Sequence, residues 1–366
     1  MNVAIACGGT GGHIFPGIAV GEGLRARGHS VTLWLGARNV EDLSTSAWDG
    51  PVVRIRAAGF PSGLSLRTIG VLFRLAGSIW TCWRHMRRER PDAVLAMGSY
   101  ASVGPGVAAH LLRIPLVLHE SNAIPGKAVL VLAKYAAAIG LGFERAEPYF
   151  SGRRREVVGF PLRDNLQGAP PLDGLENDRF TILVMGGSQG AHALNVTVPD
   201  VLCAAVRRGL PLQVIHLSGA ADEASVRSRY EEGGVPARTY GFLDEMGRAY
   251  AAADLAICRA GAASCAELAL CALPSMLVPL PSSARDHQRE NARAMVVAGG
   301  ADLIEQDELS VNSLLLYIER CIAEPDYLEQ KRAALARMQP GDAVTMMCEL
   351  VEEAGEVGTA EQPLLR

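Results

Sequence analysis

Two segments of this chain share one local pattern, in which a short apolar strand runs into a glycine-rich turn that opens a helix. The turns are GGTGGH at residues 8–13 and GGSQGA at residues 186–191. Glycine lets the backbone approach a ligand closely, and the unpaired N–H groups that begin a helix favour negative charge. The pattern therefore predicts a phosphate-bearing ligand at each turn. A tight strand-to-helix connection is the alternative for either turn taken alone.

Strand-like runs alternate with longer segments of helical period in both halves of the chain. They lie at residues 3–6, 31–35, 52–55, 93–96 and 116–119, and again at 181–185, 213–217, 238–240, 255–258 and 275–278. Alternation of this kind predicts βαβ units that form a parallel sheet. Residues 164–179 are rich in proline, glycine and acidic side chains, which is typical of a linker. We therefore expect an α/β protein with two doubly wound halves.

Composition excludes several classes of protein. The chain of 366 residues is 49% apolar and 20% charged, which excludes disorder for most of its length, and its net charge of −4 gives no general attraction to nucleic acid. The eight cysteines include no C-x-x-C pair, so neither a zinc site nor a disulfide framework is expected. The N-terminus lacks the basic region of a secretory signal, and no uncharged apolar run reaches the roughly 18 residues of a membrane span. These features predict a cytoplasmic protein.

Neither glycine-rich turn follows the dinucleotide-binding pattern G-x-G-x-x-G. The residue three positions after Gly11 is Ile14, and no acidic residue ends the second strand to bind a ribose. Arg38 could instead meet a 2′-phosphate, which leaves an NADP-dependent oxidoreductase as an alternative class.

Six segments together resemble the MurG family of N-acetylglucosaminyltransferases. They are GGTGGHIFPG at 8–17, HESN at 119–122, GFPLR at 159–163, GGSQGA at 186–191, CRAGAASCAE at 258–267 and DHQRENA at 286–292. The resemblance implies a GT-B fold, in which two Rossmann-like domains face an interdomain cleft. It places an acceptor-binding domain at 1–163, the linker at 164–179, a UDP-sugar-binding domain at 180–341, and at 342–366 a helix that returns to the first domain, followed by a tail.

The resemblance also implies the reaction. N-acetylglucosamine would move from UDP-N-acetylglucosamine to the 4-hydroxyl of the muramyl sugar of lipid I, with inversion, and so form lipid II for peptidoglycan. The enzyme would work as a peripheral protein at the cytoplasmic face of the inner membrane. Another GT-B enzyme, either a UDP-sugar 2-epimerase or a glycosyltransferase with a soluble acceptor, is the alternative.

Most donor-binding residues implied by the resemblance lie in the second half. Glu267 would accept hydrogen bonds from the ribose hydroxyls, and Arg163 would hold the donor near the uracil. An acidic residue that only favours a helix N-terminus, and a solvated linker arginine, are the respective alternatives. The remaining implied donor contacts are Leu243 (uracil, through its backbone), Ser188 (diphosphate), Gln288 (sugar), Ala262, Ala263, Ser264, Cys265 and Ala266.

The departing diphosphate needs stabilisation by a metal or by fixed donors. No Asp-x-Asp metal motif occurs in the chain. The glycine-rich turns and the helix start near Gly261 instead supply backbone N–H groups. We therefore expect a transferase that needs no metal or other cofactor.

The acceptor residues implied by the resemblance lie in the first half. Thr10, Gly11 and Gly12 would meet the diphosphate of lipid I, and Asn122 would orient the substrate. His13 is the candidate base for the attacking hydroxyl, because imidazole titrates nearest neutral pH. A histidine that only contacts the diphosphate or opens the helix is the alternative, and Glu120 is a weaker candidate base. The sequence departs from the family pattern at Ser121, Ala260 and Ser264, where glutamine, serine and threonine are usual.

Residues 67–90 predict an amphipathic helix with an unusually wide apolar face. An arc of roughly 180° at about 100° per residue carries the apolar side chains. They are Ile69, Leu72, Phe73, Leu75, Ile79, Trp80, Trp83 and Met86. Core packing needs only a stripe of about 100°, so part of the arc is expected to enter a bilayer surface while arginines reach anionic headgroups. A helix that merely covers the sheet is the alternative.

Overall fold

The computed structural model describes residues 1–8, 11–36, 48–55, 66–163, 166–187, 190–338 and 341–360. The chain divides into two compact units, one of Met1–Arg163 with Pro340–Arg366 and the other of Asp164–Gln339. Each unit is a parallel sheet flanked by helices. Arg38 lies outside the described residues.

The first unit contains a seven-stranded parallel sheet in the order β3-β2-β1-β4-β5-β6-β7. Its strands are β1 (Asn2–Cys7), β2 (Ser30–Gly36), β3 (Val52–Ile55), β4 (Ala93–Ala96), β5 (Leu116–Glu120), β6 (Ala138–Leu141) and β7 (Arg155–Val157). Before Arg163 its α-helices are α1 (Gly11–Ala26), α2 (Leu66–Glu89), α3 (Val103–Leu111) and α4 (Lys127–Leu132).

Successive strand residues of the first sheet point to opposite layers of the core. Ile5 and Leu95 belong to the core cluster that includes residues of α1, whereas Ala6 and Val94 belong to the cluster that includes residues of α2, α3 and α4. Because both faces are buried, most strand positions are selected to be apolar. This requirement explains why β4 (AVLA) and the first three residues of β5 (LVL) are continuous apolar runs rather than alternating ones, whereas β5 ends in the buried polar pair His119 and Glu120.

The second unit repeats the plan with a six-stranded parallel sheet in the order β10-β9-β8-β11-β12-β13. The strands are β8 (Phe180–Met185), β9 (Leu212–Leu217), β10 (Ala237–Tyr240), β11 (Leu255–Cys258), β12 (Ser275–Leu277) and β13 (Ala301–Leu303). The helices are α5 (His192–Arg207), α6 (Glu223–Glu232), α7 (Met246–Ala252), α8 (Ala262–Leu270), α9 (His287–Val297), α10 (Val311–Ala323) and α11 (Pro325–Ala336).

In both sheets the strand order reverses beside the first strand of the unit. The reversal lies between β1 and β4 in one sheet and between β8 and β11 in the other. Ligands of doubly wound folds bind outside the carboxyl ends of the strands at such a point. Each glycine-rich turn follows β1 or β8 and therefore lies at this position.

The last helix, α12 (Ala343–Ala360), packs on the first unit although it follows the second unit in the sequence. Asp342 accepts a hydrogen bond from the backbone N–H of Val344 at 3.0 Å and so caps the start of the helix. Met347 and Val351 are fully buried in the core cluster that contains α1. Glu352 accepts hydrogen bonds from Arg27 at 2.8 Å and from His29 at 2.7 Å.

The described part of the predicted linker is bound along the second unit. Gln167 donates a hydrogen bond to the carbonyl of Leu270, at 2.6 Å. Arg248 forms an ion pair with Asp173 at 2.8 Å, and Gln213 donates to the carbonyl of Glu176 at 2.7 Å. These contacts explain why residues 166–179 group with the second unit.

The predicted α/β architecture with two doubly wound sheets is confirmed, and each of the ten predicted strand-like runs overlaps an observed strand. The strands β6, β7 and β13 are additional to the prediction. Within the described ranges, no helix is both long enough and apolar enough to cross a membrane. In the same ranges no group of three or more His, Cys, Asp or Glu side chains could hold a metal ion.

Candidate substrate-binding and catalytic sites

His13 has a fixed orientation at the switch point of the first sheet. Gly11 and Gly12 are the first two residues of α1, and Thr10 lies outside the described residues. The Nδ1 atom of His13 lies 2.9 Å from the carbonyl oxygen of Met97, immediately after β4. A carbonyl only accepts, so Nδ1 carries the proton and the neutral ring has its lone pair on Nε2. His13 can therefore accept a proton at Nε2 without losing the contact that orients it.

His119 is a second, fully buried imidazole near His13. Its Nε2 atom donates a hydrogen bond to the carbonyl of Gly159 at 3.0 Å. Burial lowers the pKa of His119 to about 4, the hydrogen bond to Gly159 opposes that shift, and the nearby His13 adds to it. The hydroxyl of Ser121 lies 3.5 Å from the Nδ1 atom of His119, so the side chain that departs from the family pattern points into the protein. His119 stays neutral over the pH range in which most enzymes work.

Glu120 organises the loop that carries Asn122. Its Oε1 atom accepts hydrogen bonds from the backbone and the side-chain nitrogen of Asn122 at 2.9 and 3.2 Å. Its Oε2 atom accepts one from the backbone of Gly126 at 2.9 Å. Glu120 is 2% exposed, whereas Asn122 is half-buried. These contacts favour a positioning role for Glu120 and place Asn122 where it can meet a substrate.

Arg163 lies in the first unit and contacts the start of α1. Its guanidinium carbon is 3.6 Å from the centre of the Phe15 ring, a cation–π contact. The Phe15 ring in turn covers Gly11, where an added Cβ would lie 2.9 Å from a ring atom. Arg163 is thereby held beside the first glycine-rich turn rather than being a solvated linker residue.

In the second unit, α8 begins without a cap from any described side chain. Gly261 precedes it in an extended conformation and accepts from the N–H of Cys265 at 2.9 Å. The N–H groups of the first turn, those of Ala262, Ala263 and Ser264, have no acceptor within an α-helix. Across the described residues no side chain caps this turn, and the turn contains no acidic residue. The end of the helix therefore presents partial positive charge to an anion.

Glu267 follows on the same helix and is half-buried, as is Ala266, whereas Cys265 is fully buried. The Oε2 atom of Glu267 accepts a hydrogen bond from the hydroxyl of Tyr250 on α7 at 2.6 Å. Burial raises the pKa of Tyr250 well above its usual value, and the Glu267 carboxylate adds to that shift. Tyr250 is therefore a permanent donor to Glu267.

The other predicted donor contacts lie on separate elements of the second unit. Leu243 is half-buried in the loop between β10 and α7. Gln288 is in the first turn of α9, where its Oε1 atom accepts a hydrogen bond from the N–H of Leu280 at 2.9 Å. Ser188 lies outside the described residues.

The glycine-rich turn after β8 requires glycine for two different reasons. Gly187 and Gly190 have φ values of 89° and 75°, in the left-handed region that other residues disfavour. At Gly190 an added Cβ would lie 2.0 Å from the carbonyl oxygen of Ser218, whereas at Gly187 it would meet no described atom within 4 Å. The turn therefore packs directly against the backbone that follows β9.

A buried hydrogen-bond chain supports that backbone. Tyr230 donates to Nδ1 of His216 at 2.8 Å, and Nε2 of His216 donates to Oδ1 of Asn195 at 3.0 Å. The side-chain nitrogen of Asn195 then donates to the carbonyl of Ser218 and to Asp222, both at 2.8 Å. The directions follow from Asn195, whose nitrogen must donate to a carbonyl and whose oxygen must therefore accept. Burial lowers the pKa of His216 to about 3 and keeps it neutral.

Acid is expected to destabilise each unit through one buried imidazole. The pKa values of His119 and His216 in the folded chain are about 4 and about 3, against an ordinary 6.5. Below pH 6.5 the unfolded chain binds protons that the folded chain excludes, so the free energy of unfolding falls as the pH falls. From about pH 6.5 to about pH 5 the loss is about 2 kcal/mol for each imidazole, measured by urea unfolding over a pH series.

The variants His119→Gln and His216→Gln separate this effect from general acid sensitivity. Each removes one titrating group, so the pH slope of the unit that carries it should flatten, whatever the absolute stability. His110→Gln is the control, because His110 is an exposed residue near the end of α3. Slopes equal to that of the control in both buried variants would contradict the prediction.

Solved structures of other proteins share this fold. A crystal structure of Acinetobacter baumannii MurG matches with a TM-score of 0.78 and 25% identity, covering 96% of this chain and 99% of that one. A UDP-N-acetylglucosamine 2-epimerase from Neisseria meningitidis, 13% identical with a TM-score of 0.70, shares the fold over 96% of this chain and all of its own. Two Rossmann-like units, each with a glycine-rich turn at its switch point, define a GT-B glycosyltransferase fold.

The family follows from the sequence matches. Residues 3–141 match the glycosyltransferase family 28 N-terminal domain, and residues 181–345 match the C-terminal domain of that family. A relative from Alkalilimnicola ehrlichii is 40% identical, and the match covers 97% of this chain and 99% of the relative. A relative from Myxococcus xanthus is 33% identical, and the match covers 100% of this chain and 97% of the relative. Both are named UDP-N-acetylglucosamine–N-acetylmuramyl-(pentapeptide) pyrophosphoryl-undecaprenol N-acetylglucosamine transferase. The chain belongs to the MurG family of family 28 glycosyltransferases.

Proposed function

We propose that this protein transfers N-acetylglucosamine from UDP-N-acetylglucosamine to the 4-hydroxyl of the muramyl sugar of lipid I, which forms lipid II for peptidoglycan. The names of its relatives support this reaction. The structural observation that carries the proposal is α8, which offers uncapped N–H groups at its start and a carboxylate at Glu267. A nucleoside diphosphate sugar presents the complementary pair, a diphosphate and a ribose with two hydroxyls.

We assign the donor to the second unit. The N–H groups of Ala262, Ala263 and Ser264 would stabilise the negative charge that develops on the departing diphosphate, which is the task a metal performs in other transferases. Glu267 would accept hydrogen bonds from the ribose. Leu243, Gln288 and Ser188 would complete the contacts with the uracil, the sugar and the diphosphate. This arrangement supports a reaction that needs no metal.

We assign the acceptor to the first unit, where Thr10, Gly11 and Gly12 would meet its diphosphate. His13 would remove the proton of the 4-hydroxyl as that oxygen attacks the anomeric carbon, because its Nε2 atom carries the lone pair. Bond formation and departure of UDP in a single displacement invert the anomeric configuration. Asn122, held by Glu120, would orient the acceptor.

Transfer of labelled N-acetylglucosamine to a short-chain lipid I analogue tests the proposal. The expected product is the corresponding lipid II analogue with a β-linked sugar, formed at the same rate with a chelator present. Formation of UDP-N-acetylmannosamine in the absence of acceptor would favour the epimerase alternative. Folded protein that binds the donor but yields no disaccharide would contradict the proposed reaction, and activity lost with chelator would contradict its metal-free part.

We further propose that the first unit attaches to the cytoplasmic face of the inner membrane through α2 and the helices beside it. On α2 the side chains of Ser78, Cys82 and Met86 are buried at helical spacing, whereas Phe73 and Trp80 are 74% and 58% exposed. The side chains of Ile69 and Leu72 are outside the described set. A helix that merely covered the sheet would bury its largest apolar residues, so this pattern favours an additional partner for the outer face.

The apolar surface continues onto the two neighbouring helices. Close packing joins them, because a Cβ at Gly104 on α3 would lie 2.6 Å from Ser78 of α2, and one at Gly106 would lie 2.7 Å from Leu132 of α4. Three further apolar side chains are exposed in this region: Leu111 at the end of α3, Val131 on α4 and Tyr135 just after α4. Arginine guanidinium groups lie over Trp80 and Trp83, where they can reach anionic headgroups.

Replacing both Phe73 and Trp80 by serine is expected to lower binding to vesicles that contain anionic lipid by about tenfold or more, because two interfacial aromatic anchors are lost. Flotation of the purified protein with vesicles measures the bound fraction. Val297→Ser is the matched control, since Val297 is an 81% exposed apolar residue of the second unit. Equal binding by the double variant, with folding verified by circular dichroism, would remove this surface from the proposal.

A further inference from the structure

The carboxylate of Glu267 does not hold its conformation alone. Its Oε2 atom accepts a hydrogen bond of 2.6 Å from the hydroxyl of Tyr250, which lies on a different helix. Tyr250 is 3% exposed, so the donor side of this contact is shielded from bulk water. A short hydrogen bond to an ionised acceptor is among the stronger ones in proteins.

Tyr250 is itself fixed by the sheet at the switch point. It lies on α7, directly before β11, and its hydroxyl is 3.5 Å from the sulfur of Met185, the last residue of β8. The glycine-rich turn starts at the next residue, Gly186. The phenol therefore spans from the end of β8 to α8, the two elements to which we assign the donor diphosphate.

Tyr250 is always the donor and Glu267 always the acceptor in this hydrogen bond. Because burial and the neighbouring carboxylate raise the pKa of Tyr250 far above neutral, its hydroxyl keeps its proton and donates at every working pH. A carboxylate offers about four lone-pair sites on two oxygens, so it can accept from one phenol and from ribose hydroxyls together.

We propose that Tyr250 is a positioning residue that sets the ribose specificity of the site by holding the Glu267 carboxylate in the conformation that accepts two sugar hydroxyls. The inference rests on the proposed function, since it assumes that Glu267 binds the ribose. It goes beyond that function by assigning a role to a buried residue that touches no substrate. Without the phenol, Glu267 would sample other rotamers and recognise a diol less well.

The test is Tyr250→Phe, which removes only the hydroxyl. The KM for UDP-N-acetylglucosamine is expected to rise about tenfold with kcat nearly unchanged, as for loss of one charge-assisted hydrogen bond. The kcat/KM for the 2′-deoxyribose analogue of the donor should change by less than about twofold, because that substrate lacks one of the hydroxyls that Glu267 would recognise. The preference for ribose should therefore shrink.

Two comparisons make the outcome specific. Tyr317→Phe removes a half-buried phenol elsewhere in the second unit, which donates to the carboxylate of Asp302 at 2.8 Å, and should leave the kinetics with both donors unaffected. In a Glu267→Ala background, Tyr250→Phe should have no further effect on the donor KM.

Three results would overturn the inference: an unchanged donor KM in Tyr250→Phe, equal losses for both donors, or an additive loss in the Glu267→Ala background. Failure of the proposed function would look different, because the unsubstituted protein would then transfer no sugar or Glu267→Ala alone would leave the donor KM unchanged.

Discussion

Replacing His13 by glutamine or by asparagine is expected to lower kcat by about 10²- to 10⁴-fold, the usual contribution of a general base. Both amides lack a group that can take up a proton at the position of Nε2. The asparagine amide nitrogen can still reach the Met97 carbonyl that now binds Nδ1 at 2.9 Å, so this variant removes the base while keeping the anchor. Single-turnover measurements at saturating donor and acceptor follow the chemical step.

The same variants distinguish a base from a residue that only contacts the acceptor diphosphate. A lost contact would raise the KM for the acceptor and leave kcat largely intact, whereas a lost base lowers kcat. Circular dichroism and urea unfolding check that the first unit, which carries His13, still folds, and affinity for UDP checks the donor site that we assign to the second unit. Values of kcat near that of the unsubstituted enzyme in both variants would eliminate His13 as the base.

The pH dependence of kcat provides a further test of His13. Protonation fills the lone pair on Nε2, so kcat should fall as the solution becomes acidic. His119 cannot cause this loss near neutral pH, since burial holds its pKa at about 4. An acid limb that persists in His13→Gln would have to be assigned to another group.

The strands that the sequence predicts correctly have strong local signals. In the core of each sheet both faces are buried, so a run such as AVLA of β4 is apolar throughout and ends at a glycine nearby. The three additional strands lack that signal. Two of them, β7 (REV) and β13 (ADL), have three residues each and lie at sheet edges, and β6 (AIGL) is embedded in a longer apolar stretch. Pairing with a neighbouring strand, which is a tertiary interaction, decides such segments.

Only part of the candidate site can likewise be predicted from the sequence. The glycine-rich turns and the open start of α8 are local features, so a short motif is sufficient to predict them. The contacts that orient the side chains join distant residues: His13 and Met97 are 84 positions apart, and Tyr250 and Glu267 are 17 positions apart. Neither Met97 nor Tyr250 belongs to a recognisable motif, because only the folded sheet brings them to the switch point. Sequence therefore indicates candidate side chains for the chemistry and leaves out the residues that position them.

A substitution in the glycine-rich turn after β8 is also expected to have a large effect on the reaction with the donor. Gly190→Ala is expected to lower kcat/KM for the donor by about 10²-fold or more, comparable to the loss of one preorganised N–H donor. The new methyl group would overlap the Ser218 carbonyl at 2.0 Å, and backbone atoms held by the Asn195 hydrogen bond cannot move aside without opening the turn. Measuring donor affinity together with the folding of the second unit distinguishes a displaced turn from an unfolded one.

Gly187→Ala measures the conformational part of that effect alone, so comparison with Gly190→Ala gives the steric part. Both glycines have positive φ, at 89° and 75°, so both substitutions carry a conformational cost of about 1–2 kcal/mol. Only Gly190 also packs against backbone, since a Cβ at Gly187 meets no described atom within 4 Å. Gly187→Ala should therefore lose stability but keep donor affinity within about threefold, whereas Gly190→Ala should lose both. Equal donor affinities in the two variants would show that the contact between the turn and Ser218 does not shape the diphosphate site, because the backbone conformation would then account for the whole effect.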